Sequence, residues 1–249
     1  MKILGIIPAR YGSTRFEGKP LALINGKMMI QRVYEQAKKA DKLAEVVVAT
    51  DDERIFNAVV GFGGEVVMTS ANHKSGTDRC CEVVDKIGAG FDAVVNIQGD
   101  EPYINPLQIN QIAELISDKD TPLASLCKPI KDYDELVSHN AVKVVFDVNG
   151  KALYFSRYAI PFMRNVDDDK IWLEKRAFYK HIGIYAYKCD VLKKVAALPQ
   201  SGLELAESLE QLRWLENSYT VRMGVTEFES YSVDVPEDIV KIEKIFKEH

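Results

Sequence analysis

Four short apolar runs, separated by segments of helical period, constrain this chain more than any other feature. Ile3-Leu4-Gly5-Ile6-Ile7, Glu45–Thr50, Glu65-Val66-Val67-Met68 and residues 92–97 are mostly β-branched and too short for helices. Each reads as a buried strand. Between them, residues 28–39 put Met29, Ile30, Val33, Tyr34 and Ala37 on one helical face. Asp51-Asp52-Glu53 opens a second helix with acids in its first turn, where the helix dipole favours them, and Gly61-Phe62-Gly63-Gly64 ends it. Residues 77–87 predict a third. Strand and helix in alternation fold as α/β: a mostly parallel, Rossmann-like sheet with helices on both faces.

The alternation loosens after residue 100. Residues 106–116 predict a helix with Pro106 at its start. Residues 122–127, 141–146, 152–155, 179–187 and 219–224 predict strands, and 207–216 a helix. Pro236 starts a final helix carrying Ile239, Ile242, Ile245 and Phe246. Asp147-Val148-Asn149-Gly150 predicts a hairpin turn in which Asn and Gly both take positive φ. Residues 165–170 form the most polar segment and are the expected mobile loop. No linker or repeat interrupts the 249 residues, so one domain is expected.

The first strand runs into Pro8-Ala9-Arg10-Tyr11-Gly12-Ser13-Thr14-Arg15-Phe16-Glu17-Gly18-Lys19-Pro20. Ligands of open α/β sheets bind at the carboxyl ends of strands. Gly12 and Gly18 let backbone N–H groups approach an anion, and Arg10, Arg15 and Lys19 add fixed positive charge. A polyphosphate cradle and a solvated basic loop both fit these residues. Spacing excludes two known cradles. Five residues separate Gly12 from Gly18 and Pro20 follows Lys19, so this is not a Walker A loop. Gly61 and Gly63 begin a dinucleotide fingerprint, but Val66 stands where its third glycine belongs.

Charge narrows the ligand. Formal net charge is −5, which disfavours nucleic acid and anionic membrane surfaces as partners, and makes a basic loop informative. No apolar run approaches the roughly 20 residues of a membrane span. Lys2 leads straight into a strand, so no signal peptide is expected. Cys80, Cys81, Cys127 and Cys189 form no C-x-x-C pair and read as free thiols in a reducing cytoplasm, not as a zinc site.

A second segment, Asn96-Ile97-Gln98-Gly99-Asp100-Glu101-Pro102, also follows a predicted buried strand. Asp100 could hold a hard cation such as Mg²⁺, which needs one or two carboxylates beside phosphate oxygens and water. It could equally be a turn aspartate bonding its own backbone. Asp234, just before Val235-Pro236-Glu237-Asp238, is either a second metal ligand or a helix N-terminal signal. His181 lies in a predicted strand, as a ligand contact or a satisfied core residue. Arg79, in Ser75-Gly76-Thr77-Asp78-Arg79, starts a helix, as an anion or base contact or as a surface cation.

Taken together these segments resemble the 3-deoxy-manno-octulosonate cytidylyltransferases, or CMP-Kdo synthetases. The likeness runs through Ile7-Pro8-Ala9-Arg10, Gly18-Lys19-Pro20-Leu21, Ala49-Thr50-Asp51, Ser75-Gly76-Thr77-Asp78-Arg79 and Gln98-Gly99-Asp100-Glu101-Pro102. It continues in Asn140-Ala141-Val142-Lys143-Val144-Val145, Ala152-Leu153-Tyr154-Phe155-Ser156-Arg157, His181-Ile182-Gly183-Ile184-Tyr185, Leu209-Glu210-Gln211-Leu212-Arg213 and Val233-Asp234. The first loop is shared with other sugar nucleotidyltransferases; residues 75–79 and the segments after 140 are more specific. Phe16-Glu17 departs from a common Leu-Pro pair, Ala186 and Asn217 replace frequent glycines, and Ser232 and Val235 flank Asp234 where Gly and Thr are common.

The resemblance implies a Mg²⁺-dependent transfer of CMP from CTP to 3-deoxy-D-manno-octulosonate (Kdo), releasing pyrophosphate, for lipopolysaccharide biosynthesis. It implies a cytoplasmic homodimer, with residues 1–130 mainly binding CTP. Residues 131–249 would supply a smaller β-rich part for sugar binding and dimerisation, and the C-terminal helix. Arg10, Lys19, Asp100 and Asp234 would be catalytic. Arg10, Ser13, Arg15, Lys19, Arg79 and Asp100 would bind nucleotide, and Asp100 and Asp234 the metal. Gln98, Arg157, His181, Tyr185, Glu210 and Gln211 would bind sugar, with Arg157 facing its carboxylate. Cytidylyl or uridylyl transfer to another acidic sugar, such as an amino analogue of Kdo or a sialic acid, and a non-catalytic binding protein are the other readings.

Overall fold

The computed structural model describes residues 1–88 and 90–247, and its strands fall on the apolar runs. In chain order the elements are β1 (Ile3–Ala9), β2 (Leu23–Ile24), β3 (Lys27–Met28), α1 (Met29–Ala37), β4 (Glu45–Thr50), α2 (Glu53–Gly61), β5 (Val66–Met68), α3 (Gly76–Ile87), β6 (Ala93–Asn96), α4 (Pro106–Ser117) and β7 (Leu123–Pro129). Then come α5 (Tyr133–Val137), β8 (Lys143–Phe146), β9 (Ala152–Ser156), α6 (Trp172–Lys175), β10 (Tyr179–Lys188), α7 (Cys189–Ala196), α8 (Gly202–Glu207), α9 (Gln211–Glu216), β11 (Val221–Val225) and α10 (Pro236–Ile245). No described helix is long and apolar enough to cross a membrane.

Among the described residues one sheet of nine strands runs β11-β7-β10-β6-β1-β4-β5, with β8 and β9 attached at β10. β1 pairs in parallel with β4 and β6, β4 with β5, and β7 with β11. β10 runs antiparallel to both β6 and β7. The two-residue alternation of strand side chains explains the layers. Ile3 and Ile7, Val46 and Val48, and Ala93 and Val95 face a core shared with α1, α2 and α4. Leu4 and Ile6, Val47 and Ala49, and Val94 face the other core, under α3, α7 and α9. Each fully buried aliphatic side chain contributes roughly 1.5–3 kcal/mol, so both faces of the central strands are fixed. The expected doubly covered, mostly parallel sheet is therefore what forms. After β5 the chain returns to the far side of β1, and the β1–β6 boundary becomes the point where strand order reverses. Crevices open at such points.

Two local expectations are corrected. The helix expected over 207–216 is two helices, because Ser208 takes a left-handed conformation, φ 52°. Arg157 accounts for the break: its Nε donates to the Glu207 carbonyl at 2.7 Å and its Nη2 to the Ser208 carbonyl at 3.3 Å. Those carbonyls at the helix end find a tertiary partner, so the helix need not continue. The β8–β9 hairpin forms, but only Gly150 of its turn has positive φ, at 74°. The Asp147 carboxylate accepts from the N–H groups of Asn149 and Lys151, both at 2.8 Å, and this side-chain bracing replaces the second left-handed residue. Residues 169–171, within or beside the expected mobile loop, form a 3-10 turn capped by Asp168.

Candidate active site

The loop after β1 closes on itself. The Gly18 N–H donates to the Tyr11 carbonyl at 2.9 Å, and Phe16 N–H to Ser13 Oγ at 3.4 Å. Gly18 sits at φ 69°, and a Cβ there would meet the Tyr11 ring at 3.1 Å. That ring also carries the Arg54 guanidinium, 3.2 Å from its centroid. Glycine is thus required twice over, by conformation and by space. The turn after β6 packs on the end of β1 just as closely: a Cβ on Gly99 would lie 2.6 Å from the Pro8 carbonyl oxygen.

These two turns and the start of α3 enclose a cleft of about 290 Å³. Arg10, Arg15, Lys19, Lys74 and Arg79 line it with Ser13, His73, Gln98 and Asp100, so five cationic side chains face one carboxylate. In a chain of net charge −5 this concentrates positive field in one place. Arg10 is exposed, and among the described residues its guanidinium has no hydrogen bond or ion pair. Arg79 is buried, and its guanidinium donates to Asp51 Oδ2 at 3.2 Å and to Thr69 Oγ1. The Ser75 hydroxyl and the Asp78 carboxylate form a capping box at the start of α3.

Lys19 is the node. Its Nζ donates to Asp100 Oδ2 at 2.7 Å and to the Val233 carbonyl at 2.9 Å. The Val233 N–H in turn donates to the Asp100 carbonyl at 2.9 Å. Asp234 follows at once, with Oδ1 2.8 Å from Arg15 Nη2. The Val233 backbone therefore brings the segment carrying Asp234 against Asp100, 134 positions away in sequence, and each carboxylate pairs with a cation of the first loop. Asp234 does not cap α10. Its own N–H and that of Val235 donate to Asp238 Oδ2, at 3.0 and 3.2 Å, and Val235 occupies the cap position.

The residues expected to bind sugar fall into two groups. Gln98 Nε2 donates to the Gly183 carbonyl of β10 at 2.6 Å, between His181 and Tyr185. The Tyr185 ring meets His181 at 5.3 Å and Trp214 at 5.1 Å. Glu210 Oε2 accepts from Thr77 Oγ1 at 3.0 Å, its Oε1 is buried without a hydrogen-bond partner among the described residues, and Gln211 beside it is buried. Burial raises the pKa of Glu210 and pushes that of Tyr185 well up. His181 is pushed down to about 3 by burial. A neutral imidazole donating from Nε2 satisfies its neighbours: Ser125 Oγ, 2.8 Å away, then spends its own hydrogen on the Ile184 carbonyl at 2.9 Å. Arg157 stands apart from this group. All its guanidinium bonds go to backbone carbonyls, of Glu207, Ser208 and His139, and it holds the segment leading to Glu210.

Several cleft residues escaped the sequence reading. His73 and Lys74 line the rim beside the motif that begins at Ser75. The His73 ring pairs with Glu82, whose carboxyl burial raises but which Lys86, the Ser70 N–H and His73 hold down at about 2. The sequence signal was only a polar stretch before a helix. The Val233 carbonyl carries no side-chain signal at all.

A family model described as cytidylyltransferase matches residues 4–244. The 3-deoxy-manno-octulosonate cytidylyltransferase of Parabacteroides distasonis is 58% identical over 245 residues, 97% of this chain and 96% of its own. That of Bacteroides thetaiotaomicron is 56% identical, covering 99% of each chain. The chain belongs to the 3-deoxy-manno-octulosonate cytidylyltransferase family. A solved CMP:2-keto-3-deoxy-manno-octonic acid synthetase complexed with CTP superposes with a TM-score of 0.90 at 43% identity, covering 98% of each chain. A 4-diphosphocytidyl-2C-methyl-D-erythritol synthase from Anaerococcus prevotii, at 12% identity and TM-score 0.64 over 99% of this chain and 96% of its own, shares the fold alone. Both the family resemblance and the nucleotidyltransferase fold read from the sequence are thereby borne out.

The donor set at Asp100 and Asp234 suits magnesium. It offers carboxylate oxygens only, each paired with a cation, and Asp100 lines the cationic cleft. Among the described residues no group of three or more His, Cys, Asp and Glu is arranged to hold a metal, and Mg²⁺ does not require one when substrate phosphates and water complete its shell.

Proposed function

We propose that this chain transfers CMP from CTP to Kdo, giving CMP-Kdo and pyrophosphate for lipopolysaccharide biosynthesis. The observation that carries the reading is the Lys19–Asp100–Val233 node with Asp234 beside it, at the mouth of a cationic cleft, in a chain 58% identical to a Kdo cytidylyltransferase. In-line attack by a sugar hydroxyl on the α-phosphorus requires positioning and charge neutralisation more than covalent catalysis. Arg10, Arg15, Lys19 and Lys74 hold the triphosphate and the departing pyrophosphate, helped by Ser13 and the loop N–H groups. Arg79 and the start of α3 hold the nucleoside end. Gln98, His181, Tyr185, Glu210 and Gln211 shape the sugar side, with Arg157 bracing the chain before Glu210. Asp100 and Asp234 would hold Mg²⁺, which when bound neutralises phosphate charge and lowers the pKa of the attacking hydroxyl. Lys19 and Arg15, held beside those carboxylates, would pair with phosphate oxygens.

Residues 1–130 are mainly the CTP-binding part and 131–249 mainly the sugar-binding and dimer-forming part, with Asp234 reaching back across. A cytoplasmic homodimer fits the chain: Leu153, Tyr158 and Phe162 are 62%, 71% and 75% exposed on one stretch. The test is a panel of acidic sugars, including Kdo, its amino analogue and a sialic acid, offered with CTP or UTP while product is followed by mass. CMP-Kdo is the expected main product. A different sugar nucleotide, or none, would contradict the reading.

A further inference from the structure

A small aromatic cluster, distinct from the two cores of the sheet, joins the C-terminal helix to the site. Ile24, Met29, Val233 and Ile242 are its buried members, and Phe16, Tyr103, Tyr231, Ile239 and Phe246 pack against them. Phe246 is wedged between two rings. It stacks on Tyr103 at 4.0 Å and 6°, and meets Tyr231 edge-on at 5.2 Å and 87°. Asn25 ties this seat down. Its amide donates to the Tyr103 hydroxyl at 2.9 Å and to the Phe246 carbonyl at 2.8 Å, and its N–H donates to Glu243 Oε1 at 2.8 Å. To do so Asn25 adopts φ 44°, a left-handed conformation that asparagine tolerates. The Arg32 guanidinium donates to the carbonyls of Ile24 and Asn25 and lies 5.2 Å from the Tyr103 ring centroid.

Three segments of the site reach this cluster. Phe16 belongs to the phosphate loop, and Tyr103 comes three residues after Asp100. Val233 is the link that matters most. Its side chain is fully buried in the cluster, while its N–H binds the Asp100 carbonyl and its own carbonyl accepts from Lys19. One residue is thus gripped by the aromatic seat on one side and by the catalytic node on the other. Asp234 is the next residue.

We propose that Phe246 and Asn25 are positioning residues for the carboxylate pair. The seat fixes residues 231–235, and through Val233 it sets where Asp234 stands relative to Asp100 and Lys19. The proposal rests on the transferase reading above and adds to it a structural reason why the end of α10 bears on catalysis. Misplacing a reacting group by about 1 Å through a distant change can cost about a hundredfold in rate.

The test uses the full chain with Phe246→Ala, Phe246→Leu and Asn25→Gly, the last keeping the left-handed backbone while deleting the amide. Three quantities are compared with wild type: kcat, the CTP dissociation constant, and deuterium uptake of the peptide spanning 231–236. Phe246→Ala and Asn25→Gly are expected to lower kcat at least about tenfold with CTP affinity changed less than about threefold, since loss falls on the transition state. Uptake over 231–236 should quicken, and Phe246→Leu should recover much of both losses. Val195→Ala, on α7 in the core shared with α3 and α9, supplies a control of comparable destabilisation with unchanged kcat. Wild-type kcat together with wild-type uptake in Phe246→Ala and Asn25→Gly would overturn the proposal, as would an equal loss of kcat in Val195→Ala. Uptake needs no substrate, so a wild-type chain that fails to turn over Kdo would refute the transferase reading while the uptake arm still decides the role of the seat.

Discussion

Removing the Lys19 ammonium, as in Lys19→Ala, should nearly silence turnover while sparing the fold. In the free protein the ammonium serves one carboxylate and one carbonyl, Asp100 Oδ2 at 2.7 Å and Val233 O at 2.9 Å. The Lys19 side chain is 16% exposed and that of Asp100 28%, so water can reach what the lysine leaves behind. Solvent screening therefore keeps the stability cost near 1 kcal/mol. For a chain of this length that is a fall of about 2–4 °C in Tm. The catalytic loss is of another size. One preorganised positive charge at a developing anion is worth about 2.7–4 kcal/mol, or about a hundred- to a thousandfold in kcat. The assay is pyrophosphate release with CTP, Mg²⁺ and Kdo, beside a thermal melt of the same preparation. Turnover within about threefold of wild type would remove Lys19 from the chemistry, since the expected loss is far larger. A collapse of the melt would instead make Lys19 a structural strut.

Asp234→Asn should lower kcat about a hundredfold while leaving CTP affinity and Tm near wild type; Val235 and Asp238, not Asp234, cap α10, so normal turnover would return Asp234 to an ordinary surface role. Gly99→Ala should cost about 1–3 kcal/mol by overpacking, because its Cβ meets the Pro8 carbonyl at 2.6 Å; a melt equal to wild type would show that the two turns can part freely. Burial depresses the pKa of folded His181 to about 3, below its unfolded value near 6.5, so its contribution to stability is complete above about pH 6.5 and lost as pH falls toward 3. Denaturant titrations should therefore show a slope of roughly 1 kcal/mol per pH unit in that window, flattened in His181→Gln; identical slopes in the two proteins would refute the neutral imidazole.

How far the sequence disclosed this site depended on the range of the interactions. The strands of the first half were legible because period-two burial is local: Ile3 and Ile7 face one core, Leu4 and Ile6 the other. The phosphate loop was legible because Gly12, Gly18 and three cations crowd one turn. The insertion of β10 between β6 and β7 was not, since an apolar run states that it is a strand but not which strands flank it. The break at Ser208 was hidden for the same reason. It answers to Arg157, a partner 51 positions away that no local pattern announces. Residue pattern alone offered Asp100 and Asp234 as separate candidates and only the resemblance paired them, because their link passes through the backbone of Val233, and main-chain groups leave no trace in residue type. The aromatic seat of Phe246 looked like nothing more than the apolar stripe of a last helix.

Pyrophosphate release from wild-type protein holding CTP and Mg²⁺, recorded as Kdo is added and again after EDTA, tests the central claim most directly. Release that starts with Kdo, matches CMP-Kdo formed, stops with EDTA and returns with Mg²⁺ is the predicted result. Release that does not depend on Kdo, or that continues unchanged in EDTA, would contradict it.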